Sequence, residues 1–237
     1  MSQSMRSTRT ARLPFARSCL ALALVGALIV PPRSAAACGG EWYPALMDQE
    51  PDLRPKVIPL AEKALEQGRV AAAAGIVIRV IPHIKTLKPQ SSSLVERAAR
   101  VLAVAVTRSG GKLPVESEVP SEIQDTWLGK TAKDRAANLQ FAARTLSAIS
   151  DLKKDDPAVQ TELAEALAQL PESRARALAL LEDLARRDLV ASAEGYAALA
   201  QLRARAGDAS GGQLALARCQ SMSKAKAVCS STLTPAS

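Results

Sequence analysis

Apolar residues recur along this chain at three- and four-residue intervals, and no stretch of four to eight residues alternates apolar with polar in the β-rich manner. The pattern predicts helix throughout. Between Arg54 and Lys88 two apolar-periodic stretches are broken near Gly68, which predicts a helical hairpin with Pro59 in its first turn or kinking its start. Ser93 and Glu96 form a capping-box spacing ahead of LVERAARVLAVAVTR, a third helix that runs to Gly110 and Gly111. Residues 108–120 carry the turn chemistry of the longest loop, and Ser121 with Gln124 offers a second capping box for a short helix around Trp127.

A long helix follows from about Thr131 to Leu152, with Leu139, Ala142, Leu146 and Ile149 at helical spacing. Asp156 then caps, and Pro157 suits a first helical position. Four more helices are predicted near 157–170, 173–187, 193–206 and 209–222, divided by Pro171, by Asp188 to Ser192, and by Gly207 with Asp208. Connections this short force antiparallel neighbours. The fold class that emerges is all-α, built of antiparallel helical hairpins over residues 38–222, with a loose serine- and threonine-rich tail over 223–237.

The first 37 residues have a different pattern. Arg6, Arg9, Arg12 and Arg17 precede the apolar run CLALALVGALIV with no acidic residue among them, which is the layout of a signal peptide. The run from Cys19 to Val30 ends at Pro31 and Pro32, well short of the roughly 20 apolar residues a spanning helix needs. Small residues at Ala35 and Ala37 place the cut before Cys38. The alternative makes Cys38 a lipidated residue of a lipoprotein signal. Against it, Pro31, Pro32 and Arg33 separate Cys38 from the apolar core, and Ala35 stands where such a box usually has leucine. No later segment is long and apolar enough to be a transmembrane helix of the mature chain.

Removing that segment changes the electrostatic picture. Five arginines and no acid go with it, so 31 basic residues become 26 against 23 acidic ones and the net charge falls from +8 to +3. What remains alternates in sign, as in ERAAR, LEDLARRD and SDLKKDD, the pattern of solvated helix faces and not of a nucleic-acid-binding stripe. Alanine, leucine, glutamate and arginine dominate and aromatics are scarce, which favours helices in close approach.

Two segments overlay without a gap: Leu60, Ala61, Gly68, Ala73, Val77 and Val80 take the same offsets as Leu199, Ala200, Gly207, Gly212, Leu216 and Cys219. In these residues, with Tyr196 and the Gly207–Asp208 turn, the chain resembles the tetratricopeptide-repeat family, whose unit is a helix-turn-helix of about 34 residues. A third segment, from Leu163 and Ala164 to Ala177, Leu181 and Leu184, agrees when its turn at Pro171 is one residue longer. A fourth, with Thr145, Ile149, Leu152 and Pro157, matches only the second helix of the unit, and Val57 stands where an aromatic is common. The resemblance implies a short α-solenoid of stacked hairpins that binds a protein or peptide partner along its concave face.

Candidate chemistry is sparse. The single histidine, His83, follows Pro82 at the end of the second helix and reads as a helix-end residue with no cysteine or serine motif beside it. Gly129, Lys130 and Thr131 spell the end of a phosphate loop, but the earlier glycine it requires is Gln124 and no strand precedes it. Glu162, Glu165, Glu182 and Asp183 fall at the spacing of solvated faces. Trp42 and Tyr43 read as an apolar anchor for the mature amino terminus.

Of the three cysteines that survive cleavage, Cys219 and Cys229 are the local disulfide candidate, with Cys219 as a small core residue the competing reading. An odd cysteine count is the best argument for acylation of Cys38. Nothing points to a catalytic residue, a metal or a cofactor. The expectation is therefore a non-enzymatic periplasmic or envelope scaffold for protein–protein interaction. The alternatives are a structural lipoprotein anchored through Cys38, or a small-ligand carrier or enzyme using the concave groove.

Overall fold

The computed structural model describes residues 54–113, 121–223 and 225–230, and among them the fold is all-α with no strand. Cys38, Trp42, Tyr43 and the signal segment lie outside the described residues. The helices are α1 (Arg54–Glu66), α2 (Val70–Val80), α3 (Ser93–Arg108), α4 (Ser121–Trp127), α5 (Ala132–Leu152), α6 (Pro157–Ala168), α7 (Arg174–Arg186), α8 (Ala193–Arg205), α9 (Ala209–Met222) and α10 (Lys226–Ser230). Short 3-10 turns at Ile84–Thr86 and Pro89–Ser91 lie in the α2–α3 connection, and a third at Pro171–Ser173 lies between α6 and α7.

Adjacency follows a simple rule. Helices α1, α3, α6 and α8 each pack on the next of that set, while α2, α5, α7 and α9 each pair with the helix of that set before them and, except for α9, also with the one after. Four hairpins result, α1/α2, α3/α5, α6/α7 and α8/α9. Four connections share one closure, three of them inside hairpins and the one at Asp188 between α7 and α8, whereas the α6/α7 turn is the 3-10 turn at Pro171–Ser173. At Gly68, Gly110, Asp188 and Gly207 the backbone is left-handed, and the next amide reaches back to the carbonyl five residues earlier, as in Arg69 N to Ala64 O and Asp208 N to Arg203 O, both 2.9 Å.

Helix α3 departs from the one-faced helix of a stacked array. Every residue from Val101 to Thr107 is buried, because α1, α2, α5, α6 and the 3-10 turns at 84–86 and 89–91 surround it. A helix apolar on all sides belongs inside a core. Its one buried hydroxyl, Thr107 Oγ1, donates to Ala103 O at 2.9 Å.

Several local expectations shift. The cap of α3 is Ser92, whose hydroxyl accepts from Val95 N at 3.1 Å, so Ser93 is already helical and the Ser93–Glu96 box gives way to a simple cap with Val95 at the third position. Pro59 sits in the interior of α1, and Ser121 lies inside α4. The overlaid pairs Ala61 and Ala200, Ala73 and Gly212, and Val77 and Leu216 are buried, but Leu60 is 57% exposed where its counterpart Leu199 is 1%. Leu199 is covered because α7 packs on α8, whereas among the described residues no helix precedes α1. The tail expected to be loose from 223 contains α10, which packs on α8 and α9 and buries Cys229.

Candidate functional site

Several charges that sequence spacing assigned to solvated faces instead tie α1, α3, α6 and α8 together. Arg97 Nε of α3 donates to Glu62 of α1 at 2.8 Å, and Arg100 Nε of α3 donates to Glu162 of α6 at 2.6 Å. Arg108, on the last turn of α3, meets Glu165 of α6 at 3.3 Å and Glu194 of α8 at 3.4 Å. Glu165 is only 4% exposed and also accepts from the Ser192 hydroxyl. Burial pushes its carboxyl above the usual range, against the lowering effects of Arg108 and Ser192. Glu62 moves the other way, held below the usual carboxylate range by its hydrogen bonds from Arg97. Glu162 and Glu165 are thus interhelical ties. Glu182 and Asp183 are more exposed and pair with Arg203, and with Arg186 and Arg187.

A second polar knot accounts for the glycine-lysine-threonine run. Asn138 of α5, 2% exposed, donates through Nδ2 to Gly111 O at 3.0 Å and Trp127 O at 3.3 Å, and accepts from Lys85 Nζ at 3.0 Å. Lys85 also donates to Thr126 O at 3.0 Å and lies 3.8 Å over the Trp127 ring. Burial pulls its ammonium below the ordinary lysine range. Gly129 is left-handed, and a Cβ there would stand 2.5 Å from Gly111 O. Lys130 pairs with Asp125 at 2.7 Å, and Thr131 caps α5 in a reciprocal box with Asp134. Each member of the run has a structural task. His83 is exposed beyond the end of α2, its carbonyl accepting from the Thr86 hydroxyl at 2.8 Å.

The third constellation is an open cleft of about 240 Å³ between α7, α8 and α9. Tyr196, Leu199 and Ala215 line its buried side, and Leu214, 69% exposed, stands at its edge. Arg186, Arg203 and Arg218 also line it, with Asp188 as the one carboxylate. Asp188 is the only non-glycine residue at positive φ among the described residues, at 54°. It accepts from Tyr196 Oη at 3.4 Å and pairs with Arg218, whose guanidinium lies 5.9 Å from the Tyr196 ring centroid. Below this assembly a disulfide joins Cys219 of α9 to Cys229 of α10.

Sequence reasoning singled out Tyr196 as a repeat position but passed over Asp188 and Arg218. Asp188 follows Leu184 and Ala185 at the offset where Gly68 and Gly207 follow theirs, so an acid in a glycine slot was the available signal. The Arg108–Glu165 pair, 57 residues apart, had none. No protein-family model, curated protein or solved structure matches this chain.

Proposed function

We propose that the mature chain is a non-enzymatic helical-repeat scaffold, a short α-solenoid of the periplasm or envelope that docks a protein or peptide partner. The observation that carries this reading is the alternating adjacency of the helices: four helix pairs, with one helix of each pair in contact with the corresponding helix of the next. The repeated left-handed closures at Gly68, Gly110 and Gly207 support it. Export is supported by the arginine-rich, apolar leader and by the Cys219–Cys229 disulfide, a bond at home in oxidising compartments. A photo-reactive amino acid placed at Lys63 or at Arg205, both exposed, tests the scaffold in cells. Discrete protein adducts are expected, and their absence at both positions would remove the proposal's basis.

One observation favours a second reading. Once Cys219 and Cys229 pair and the leader with Cys19 is removed, Cys38 has no cysteine left to join, as expected of an acylated lipoprotein cysteine. Intact-mass measurement on exported protein separates the two: a chain beginning at an unmodified Cys38 supports simple cleavage, and the added mass of diacylglycerol and a fatty acyl chain supports the anchored form.

A further inference from the structure

The row formed by α1, α3, α6 and α8 offers a partner little. Helix α3 is sheathed, Glu165 of α6 is buried, and the arginines between the helices already hold carboxylates. The cleft between α7, α8 and α9 differs in being open and partly apolar, although its arginines are paired as well. It has an apolar floor in Leu199 and Ala215, an apolar edge in Leu214, and three arginines against a single acid. Arg186 and Arg203 are met by Asp183 at 2.9 Å and Glu182 at 3.4 Å, neither of which lines the cleft. Arg218 has its carboxylate inside the cleft, and that carboxylate is held at a cost. An L-residue in left-handed backbone is disfavoured, and glycine fills the equivalent position of the other three closures. Local strain of this kind clusters where ligands bind.

The Asp188–Arg218 pair is also exposed on both sides, 71% and 57%, so water already competes for it and its loss costs little. The Tyr196 ring beneath Arg218 would keep the guanidinium in place after the exchange. We propose that this cleft docks a short segment of a partner protein that presents an apolar side chain beside a carboxylate. The apolar group sits between Leu199 and Leu214, and the carboxylate takes Arg218 from Asp188, which acts as a built-in stand-in for the ligand. This rests on the scaffold reading and gives it a location and a partner chemistry.

The test uses the full mature chain against an array of random octapeptides. Selected peptides should pair Asp or Glu with a neighbouring Leu, Ile or Phe. Asp188→Asn, which keeps a residue tolerant of left-handed backbone, removes the competitor and should tighten those peptides roughly two- to five-fold, the span of an exposed ion pair. Arg218→Gln should weaken them at least five-fold. The gain in Asp188→Asn is the decisive arm, because a misfolded variant cannot produce it. Selection of basic or uncharged peptides, weaker binding by Asp188→Asn, or unchanged binding by Arg218→Gln would each overturn the cleft. Protein adducts at Lys63 or Arg205 alongside any of those results would leave the scaffold standing without this site.

Discussion

At the scale of single residues, two glycines with the same backbone sign have different consequences. Gly207 is left-handed at φ 86°, and nothing lies within 4 Å of where its Cβ would be, so a substitution there meets only the conformational penalty. Gly207→Val should cost about 1 kcal/mol or more, while replacing the exposed Arg205 should stay within about 0.5 kcal/mol. Gly111, at φ 80°, adds a collision: its Cβ would stand 2.6 Å from Arg135 O, in backbone that cannot swing aside. Gly111→Ala should therefore destabilise more than Gly207→Ala, by about 1–3 kcal/mol in the range of overpacked sites. Denaturant midpoints of the four variants check both statements. The glycines were legible in the sequence as turn residues, but the approach of Arg135 was not, because it depends on how two distant turns meet.

At the scale of elements, the Arg108 tie between α3, α6 and α8 leads to a pH dependence of definite sign. The folded state raises the Glu165 carboxyl above its ordinary 4.5, so it binds that proton more tightly than the unfolded chain does. The stability associated with this group is fully present below about 4.5 and is lost as pH rises through the raised folded value. Arg108→Met removes the counter-charge beside the buried Glu165 and should destabilise the fold more above the raised folded value of that carboxyl than below it. The loss should shrink as pH falls toward 4.5, and in a Glu165→Gln background that pH dependence should be much weaker, with only the Glu194 contact left to titrate. Urea melts across pH, with and without the second substitution, measure this. Asn138→Ala should cost about 1–3 kcal/mol, since it removes one acceptor of Lys85 Nζ and the amide donor to Gly111 O and Trp127 O, and should loosen the α4–α5 connection in hydrogen exchange. Helix identity was readable from 3.6-residue periodicity alone. Glu165 was misread because Leu163, Ala164, Ala166 and Leu167, buried around it, wrap α6 on every side, and a burial pattern that lacks a solvent face defeats amphipathic reasoning.

At the scale of the whole molecule, the pairings α1/α2, α6/α7 and α8/α9 were legible because short connections leave only antiparallel neighbours, whereas α3 and α5 meet across a long connection that holds α4. The sheathing of α3 was not legible, because the 81–92 connection that covers it has no periodicity of its own. The disulfide closes the array by fastening α10 across α8 and α9. Replacing Cys219 and Cys229 with alanine should cost about 2–3 kcal/mol, the loop-entropy value for so short a ring, and hydrogen exchange should accelerate in α8 to α10 before it does in α1 to α3. The same crosslink fixes how the chain would behave under tension. When the molecule is stretched between its two ends, force passes through the sulfur–sulfur bond and skips the 10-residue span between the cysteines. A fully extended molecule should then measure roughly 30 Å short of its contour length, at about 3.3–3.6 Å per hidden residue less the 5.9 Å that the crosslink itself spans. A reductant in the buffer should release that slack once α8 to α10 come apart and expose the buried sulfurs.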